Sequence, residues 1–381
     1  MNKLISGKTT SSLVTKIIQC NLRNKLEKIV KKLAYEEFDE PPMAALVDIT
    51  SRCNLNCRWC IDRYCLSNIE IATERILRLL DEFKTIGVRS IVYFGGGEPL
   101  LHPGLASILE KTHTLGIDYA INTNGILLDR YIDIIAKTCS WCRISLDAGS
   151  DEVYRKIHEG KNNFQEIITN IKKLANCARG TVGISYVVMK ENICNMERAS
   201  ILAKENNCEF IQFKPEYKPL ISNERKVKYY TKRDSQEIKN MIVKAKKNEN
   251  EQFAVLTTGS LDTLINFKPI NQNKNYSRCF AQQIIPLINP HGVYVCPNWR
   301  GAKNKSIGDI NTQAFMEIWK SERRRKIVST LNPAKECNLN CLRHQTNVLF
   351  DALVRSEKMN FHLLDYLKEI DGDSLSDKYF L

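Results

Sequence analysis

Three cysteines at C-x3-C-x2-C spacing are the residues of this chain whose types and spacing point most directly to chemistry. Cys53, Cys57 and Cys60 follow directly after an apolar run at residues 44–49. Three thiolates do not complete a tetrahedral zinc site, but they can hold three irons of a cubane cluster and leave the fourth iron open to another ligand. The spacing therefore favours an iron–sulfur cluster over a disulfide, with a partial zinc site or chance spacing as the alternatives.

A glycine-rich stretch forms a second motif further along the chain. Residues 93–99 read Tyr-Phe-Gly-Gly-Gly-Glu-Pro and follow a β-like run. Together with Trp59, which precedes the last cysteine of the triplet, these two motifs resemble the cluster motif and the second signature of the radical S-adenosylmethionine (SAM) enzymes, in that family's order. The resemblance covers about residues 44–215.

The resemblance implies a set of cofactor contacts. It implies a 4Fe–4S cluster on the three cysteines, chelated by the amine and carboxylate of SAM, and a glycine loop that binds the methionyl amine. It also implies ribose or carboxylate contacts from three further positions. The cofactor-binding candidates are Gly95, Gly96, Gly97, Glu98, Asn124, Ser145 and Asp147. A helix-capping carboxylate is the structural alternative for Glu98, and an ordinary turn or cap is the alternative for Asn124 and Asp147.

Strand and helix patterns alternate with short connections between residues 44 and 213, which predicts βαβ units and a parallel sheet. Strands are expected at 44–49, 90–94, 118–122, 141–146, 182–189 and 210–213, and helices at 69–86, 103–115, 128–137, 164–177 and 196–206. Six such units predict an α/β fold, a partial (β/α)6 TIM-like barrel with a small C-terminal α+β auxiliary-cluster domain. The same (β/α)6 fold is implied by the family resemblance.

Every motif lies directly after a predicted strand. The cysteine triplet follows strand 1, the glycine loop follows strand 2, Asn124 follows strand 3, and Ser145 and Asp147 end strand 4. Reactive groups of parallel α/β barrels gather at the carboxyl ends of the strands, where the βα loops meet. We therefore expect all of these residues at one mouth of the barrel.

Four more cysteines lie in the C-terminal part, at positions 279, 296, 337 and 341. Cys279 precedes a predicted hairpin (284–288 and 292–295), Cys296 ends its second strand, and Cys337 and Cys341 follow a predicted helix near 313–329. Four thiolates suit a fully ligated cubane or a zinc tetrahedron. The arrangement resembles the SPASM or twitch auxiliary domain of radical SAM enzymes, which implies a second 4Fe–4S cluster, with His344 as a possible substitute ligand.

Composition describes a globular protein of several units. The chain has 381 residues, 43% hydrophobic and 26% charged, with no run near the roughly 20 apolar residues of a membrane span. We expect a cytoplasmic protein with free thiols. The predicted units are a basic helical extension (1–43), a radical SAM core (44–217), a basic linker or lid (218–275), an auxiliary-cluster domain (276–346), and a C-terminal helix and tail (347–381).

The net charge of +13 is compatible with an anionic partner. Residues 218–250 carry ten Lys and Arg against four Asp and Glu, but few aromatic residues, so a solvated helix face is favoured over nucleic-acid binding. We expect the 43 residues before strand 1 to be too few for a leader-peptide-binding domain, which favours a small-molecule substrate such as a sugar or nucleotide-linked sugar, and the basic segment favours an anionic one.

The function predicted from these residues is reductive cleavage of SAM to a 5′-deoxyadenosyl radical and hydrogen abstraction from the substrate, giving oxidation, epimerisation or elimination. A flavodoxin- or ferredoxin-type protein is the implied reductant. The alternatives are a peptide-modifying radical SAM maturase, and a non-catalytic iron–sulfur or zinc protein that binds RNA or a partner. No catalytic acid or base is assigned; Tyr186, Lys214, Glu216 and Arg300 are expected near the cavity, each more often structural.

Overall fold

The computed structural model describes residues 23–216, 230–268, 274–276, 278–337, 341 and 343–358, without the side chains of 23–27 and 345. Ten strands lie within these ranges. They are β1 (Ala44–Val47), β2 (Ser90–Tyr93), β3 (Asp118–Thr123), β4 (Trp141–Ser145), β5 (Thr181–Val188), β6 (Phe210–Pro215), β7 (Ala254–Thr257), β8 (Leu287–Asn289), β9 (Gly292–Tyr294) and β10 (Ser306–Gly308).

The helices alternate with the strands as far as β7 and cluster after them. They are α1 (Arg23–Ala34), α2 (Thr73–Ile86), α3 (Leu105–Thr114), α4 (Ile132–Thr138), α5 (Asp151–Ile157), α6 (Phe164–Cys177), α7 (Met196–Glu205), α8 (Lys232–Lys246), α9 (Gly259–Ile265), α10 (Ala281–Ile284), α11 (Phe315–Trp319), α12 (Glu322–Thr330), α13 (Pro333–Glu336) and α14 (His344–Lys358).

All ten strands form one sheet in the order β10-β9-β8-β1-β2-β3-β4-β5-β6-β7. The strands from β1 to β7 pair in parallel, so their carboxyl ends share one edge. The predicted α/β fold with a parallel barrel-like sheet and a small C-terminal α+β part is confirmed.

Apolar side chains cover both faces of the sheet. A large buried cluster lies between the strands and the surrounding helices, where α2 contributes Ile76, Leu79, Leu80 and Phe83. A smaller cluster fills the inner face near the amino ends of the strands, and it includes Leu46, Val92, Ala120 and Trp141 at its edge. The apolar cluster on the inner face therefore lies near the amino ends of the strands, and side chains outside this cluster occupy the face near the carboxyl ends.

Several predicted helix boundaries differ from those observed. Helix α2 begins at Thr73 rather than near 69, because Glu70 is held in a β-bridge with Thr50. It ends where Gly87 takes a φ of +75°, a left-handed conformation that glycine adopts without strain. The segment predicted as one helix at 128–137 is a 3-10 turn, Leu128–Tyr131, followed by α4.

The described part of the predicted linker, residues 230–268, contains regular structure. Helix α8 carries the expected apolar stripe and begins with a capping box at Thr231 and Asp234. Strand β7 then pairs with β6 and extends the parallel sheet, and α9 follows it. This half of the linker continues the β/α alternation, while residues 217–229 and 269–273 lie outside the described part.

The C-terminal hairpin is joined to the barrel sheet. Strand β8 pairs in parallel with β1, with Leu287 beside Leu46 and Ile288 beside Val47, and it pairs in antiparallel fashion with β9. Helix α14 packs against α1 at the other end of the chain. The predicted C-terminal helix and tail span 347–381, and their positions after 358 lie outside the described part. Among the described residues, every helix is too short or too polar to cross a bilayer.

Candidate functional site

Strand β1 delivers the cluster loop, residues 51–60, to the carboxyl edge of the sheet. Backbone bonds fix this loop at both ends, from Ser51 N to Ile69 O (2.9 Å) and from Cys60 N to Cys57 O (3.1 Å). Burial raises the pKa of Cys60 to about 11 and the pKa of Cys57 well above its ordinary range. Asp147 and the neighbouring thiols Cys60 and Cys53 raise the pKa of Cys57 further, which indicates that the three thiols lie near one another.

The chemistry of these three thiols fits an iron–sulfur cluster. With raised pKa values they are protonated at neutral pH, whereas bound iron stabilises the thiolate form. Within the described residues, no three His, Cys, Asp or Glu side chains converge tightly enough for one metal ion. A cubane binds each thiolate at a separate iron, so it does not require that convergence.

The glycine loop, residues 95–99, packs directly on the cluster loop. A Cβ at Gly97 would lie 2.2 Å from Arg52 O and 2.7 Å from Arg52 N, so only glycine fits there. The next residue, Glu98, donates its backbone N–H to Arg52 O at 2.7 Å. The two sequence motifs therefore form one continuous surface. The sequence predicted only that both motifs lie at the same edge of the sheet.

The Glu98 carboxylate is buried, and both of its oxygens accept hydrogen bonds from protein donors. Oε1 accepts from Thr123 Oγ1 (2.6 Å) and Leu100 N (3.2 Å), and Oε2 accepts from Asn124 N (2.7 Å). Burial raises the pKa of Glu98 to about 7 despite these bonds. The carboxylate thus caps the 3-10 turn after the glycine loop and ties β2 to the end of β3; its predicted contact with the SAM amine stays a prediction.

Asn124 and Asp147 are also held by protein contacts. Asn124 Nδ2 donates to Asn54 Oδ1 at 2.7 Å in the cluster loop. Asp147 has a left-handed φ of +58°, and its carboxylate accepts from Trp59 Nε1 (3.2 Å) and Val187 N (2.7 Å). Ser145 ends β4 beside them and is half-buried. The structure brings the three to the edge where the cluster loop lies, and their roles toward SAM stay predictions.

A histidine that the sequence did not single out lies against the cluster loop. His158 Nδ1 is 3.5 Å from Cys57 Sγ, and its ring packs edge-on to Trp59 with centroids 5.1 Å apart. Burial lowers the pKa of His158 to about 4, so the ring is neutral at physiological pH. His158 follows α5, a short helix that the hydrophobic pattern did not predict, so no local signal placed it near the cysteines.

Arg300 joins the C-terminal part to both loops. Its Nε donates to Asp48 Oδ2 at 2.6 Å, and its Nη1 donates to Asp62 Oδ1. Asp48 Oδ1 in turn accepts from Gly95 N at 2.9 Å. Arg300 therefore belongs to a buried ion triad rather than acting as a free acid or base.

The other three residues expected near the cavity separate clearly. Tyr186 faces the helices, where its hydroxyl donates to Asn192 O at 2.7 Å, so it is structural. Glu216 is half-buried directly after β6. Lys214 lies on that strand, and Asp147 and Cys60 are close enough to affect the pKa of the Lys214 amine.

The four C-terminal thiols form a second group. Burial raises the pKa of Cys279 to about 12, and the neighbouring Cys296 and Cys341 raise it further. The pKa of Cys337 is raised by burial and by the other three thiols. Mutual effects of this kind indicate that all four thiols lie together. His344 Nδ1 is 3.2 Å from Tyr276 Oη, so that nitrogen already has a hydrogen-bond partner; ligation by His344 stays a prediction.

Comparison with protein families decides which chemistry these two thiol groups serve. The model described as the radical SAM superfamily matches residues 47–200, which contain the cluster loop, the glycine loop, Asn124, Ser145 and Asp147. The SPASM model, described as an iron–sulfur cluster-binding domain, matches residues 279–342. The chain contains a radical SAM domain followed by a SPASM domain.

Sequence relatives of this radical SAM protein include enzymes of two kinds. A GTP 3′,8-cyclase of Petrotoga mobilis is 27% identical over 183 residues, which are 44% of this chain and 55% of that protein. A PqqA peptide cyclase of Granulibacter bethesdensis is 37% identical over 92 residues, 24% of each chain. The chain thus spans about half the length, or less, of the curated relatives it matches.

Solved structures show the same radical SAM fold. Streptococcus suis SuiB bound to the precursor peptide SuiA covers 81% of this chain and 71% of its own, with a TM-score of 0.63 at 17% identity. Native anSMEcpe with bound AdoMet and Cp18Cys peptide covers 87% of this chain and 100% of its own, with a TM-score of 0.55 at 17% identity. At these identities the likeness concerns the fold alone.

The cofactors predicted for the radical SAM core agree with these matches: one 4Fe–4S cluster, SAM, and a second cluster in the SPASM part. Cys53, Cys57 and Cys60 would hold the first cluster, and Cys279, Cys296, Cys337 and Cys341 the second. The residues that the sequence missed are His158, which lies against Cys57, and Asp48 and Asp62, which flank the cluster loop and pair with Arg300.

Proposed function

We propose that this protein is an enzyme that takes a hydrogen atom from an unactivated C–H bond of a small molecule with an anionic group, such as a sugar or nucleotide-linked sugar. The observation that carries the proposal is the contact between the two family motifs, where Gly97 lies against the backbone of Arg52. That contact holds three thiols and a glycine loop on one surface. When bound there, a reduced 4Fe–4S cluster and SAM supply the 5′-deoxyadenosyl radical.

The chain's own residues position the cofactors and limit access of water. Cys53, Cys57 and Cys60 would hold three irons, leaving the fourth for SAM. Asp147 fixes the Trp59 indole beside Cys57, and the buried Glu98 carboxylate keeps the glycine loop in place. Fixed dipoles and apolar walls of this kind replace water around a reactive species and suppress side reactions.

The small-molecule proposal has two supports. The GTP 3′,8-cyclase relatives are named for a nucleotide substrate. In addition, Arg143 and Lys214 lie on the inner face of the barrel strands, where they suit an anionic group. We propose oxidation as the outcome if the substrate radical passes an electron to the fully ligated SPASM cluster, and epimerisation or elimination if a thiol or acid quenches the radical. External electrons come from a flavodoxin- or ferredoxin-type protein.

Anaerobic turnover tests the radical SAM activity. The protein is reconstituted with iron and sulfide, reduced with dithionite and incubated with SAM, and 5′-deoxyadenosine is measured by liquid chromatography. We expect product from the wild type and from Cys177→Ala, which removes an exposed thiol on α6. We expect none from Cys57→Ala. Equal product from wild type and Cys57→Ala overturns the proposal.

A peptide substrate is the second candidate, because a PqqA peptide cyclase is among the relatives. The two candidates are separated by supplying nucleotide sugars in one reaction and short peptides encoded beside the gene in another. Mass spectrometry then identifies which supplied molecule is altered. A change confined to the peptide overturns the small-molecule proposal and leaves the radical activity intact.

A further inference from the structure

The inner face of the barrel changes from apolar to polar toward the carboxyl ends of its strands. Strand register puts Asn122 beside Arg143, Ser185 between Ser145 and Gln212, and Val187 beside Lys214. The intervening residues Ile121, Ile144, Ile184 and Phe213 pack toward the helices, so side chains two positions apart share the inner face. The polar layer on that face consists of Asn122, Arg143, Ser145, Ser185, Gln212 and Lys214.

Two cations in this layer lack a carboxylate partner. Arg143 donates from Nε to Asn122 Oδ1 (2.7 Å) and from Nη1 to Gln212 Oε1 (2.9 Å), and both acceptors are neutral amides. Within the described part of the chain, neither Arg143 Nη2 nor the Lys214 ammonium makes a hydrogen bond or ion pair. Two like charges in one cavity repel each other, and an entering anion would remove that repulsion.

The nearby carboxylates are already committed to other partners. Asp62 pairs with Arg300, and Asp147 accepts from Trp59 and from Val187. Both lie near enough to affect Lys214 electrostatically, but neither forms an ion pair with it. Burial and the charge of Arg143 lower the pKa of Lys214 to about 8, so the amine is mostly protonated at neutral pH.

Two neutral donors in the same layer are also without partners. Asn122 is 8% exposed and Ser185 fully buried, and neither Asn122 Nδ2 nor Ser185 Oγ has a hydrogen-bond partner. Buried polar groups are normally paired, so an unpaired amide and hydroxyl on one face indicate a ligand that accepts hydrogen bonds. Together with the guanidinium and the ammonium, all four unused groups can donate, which matches an oxyanion.

We propose that Arg143 and Lys214, with Asn122 and Ser185, bind the oxyanion of the substrate, a phosphate or carboxylate group. This inference rests on the proposed function, since it identifies the part of the substrate that the barrel interior holds. Arg143 lies two residues deeper in β4 than Ser145, Ser185 lies level with Ser145, and Lys214 lies two residues nearer the carboxyl edge, so the oxyanion site runs along the barrel wall beside the position predicted to contact SAM.

Binding measurements on the reconstituted holoprotein test this site without turnover. The protein is first saturated with S-adenosylhomocysteine, a redox-inert analogue of SAM, and is then titrated with inorganic pyrophosphate and, separately, with succinate by anaerobic calorimetry. We expect saturable binding of at least one probe. Lys214→Met and Arg143→Met each lose one charged hydrogen-bonding group, so we expect about tenfold to a hundredfold weaker binding.

Two further variants keep the result interpretable. Lys204→Met removes an exposed lysine from α7, and we expect it to bind as the wild type does. Lys214→Arg keeps the positive charge, and we expect it to bind more tightly than Lys214→Met. Cluster absorbance and thermal unfolding are recorded for each variant, so that a variant that fails to fold is recognised. If Lys214→Met fails to fold, Lys214→Arg is compared with the wild type instead.

Three outcomes would overturn the inference. They are failure of the wild type to bind either probe, equal binding by wild type and Lys214→Met, and loss of S-adenosylhomocysteine affinity in Lys214→Met as large as the loss of oxyanion affinity. The last outcome would assign the cations to the carboxylate of the cofactor. Formation of 5′-deoxyadenosine is measured separately, so a protein that cleaves SAM without binding the probes disproves the oxyanion site alone.

Discussion

Removal of the Arg300 guanidinium should destabilise the junction between the SPASM part and the radical SAM core. Arg300 is 1% exposed and bonds Asp48 and Asp62, which are themselves buried. Asp48 binds the N–H of Gly95, so the triad reaches the glycine loop, and Asp62 lies two residues after the last cluster cysteine. Arg300→Met therefore leaves two carboxylates buried without their cation.

The size of the effect follows from that burial. Breaking a buried ion pair by removing one partner costs about 3–5 kcal/mol, because the remaining charge is left in a poorly polarisable environment. Burial already raises the pKa of Asp48 to about 6 with Arg300 present, and removal of the guanidinium should raise the pKa of Asp48 further. At about 2 °C for each kcal/mol in a large domain, the melting temperature should fall by roughly 6 °C or more.

Thermal unfolding followed by near-ultraviolet circular dichroism under argon measures this change. The matched control is Arg323→Met, since Arg323 is exposed and donates to the carbonyls of Ser306 and Lys303 rather than to a carboxylate among the described residues. The triple variant Arg300→Met, Asp48→Asn, Asp62→Asn removes both orphaned charges and should recover at least half of the loss. A melting temperature for Arg300→Met equal to that of the control, or no recovery in the triple variant, would refute the assignment of the triad as the stabilising junction.

Three further predictions concern the loops and the clusters. Gly97→Ala should prevent the two loops from packing and cost about 3 kcal/mol or more, because its Cβ would overlap the Arg52 backbone. In the control Gly95→Ala, the new Cβ meets nothing closer than 4.0 Å. The melting temperatures of the two variants are compared, and equal values would contradict the prediction. Because the pKa of Glu98 is about 7 when folded against an ordinary 4.5, the folded state retains its proton, and stability falls by about 3 kcal/mol as pH rises from about 4.5 to 7. Glu98→Gln should remove that part of the pH dependence in melting of the metal-free protein, and an unchanged slope would count against it. Iron analysis should give about eight irons per chain in the wild type and about four in Cys337→Ser, and about four in both would exclude a second cluster.

The cysteine triplet and the glycine loop were predictable because their information is local. Each motif lies within ten residues, and each follows a strand whose apolar pattern is also local. The rule that parallel strands bring their carboxyl ends to one edge then placed the motifs together without any knowledge of packing. For this reason the family, the fold class and the candidate ligands could be derived from sequence.

Contacts between distant residues were not predictable in this way. Asp48 and Arg300 are 252 positions apart, and Cys57 and His158 are 101 apart. A buried arginine and a surface arginine have the same sequence signature, and the strand β8 gave no sign that it would pair with β1. These contacts depend on which side chains meet once the whole sheet is assembled.

The sequence by itself identified the candidate iron ligands and predicted the edge of the sheet at which they lie, since spacing and strand periodicity act over short distances. Only the tertiary structure decided how their surroundings are charged. It closed Glu98 into a capping network, paired Arg300 with two carboxylates, and left Arg143 and Lys214 on the inner face without a counterion. The physical reason is that burial and electrostatic partners are set by long-range packing, which no local pattern of residues records.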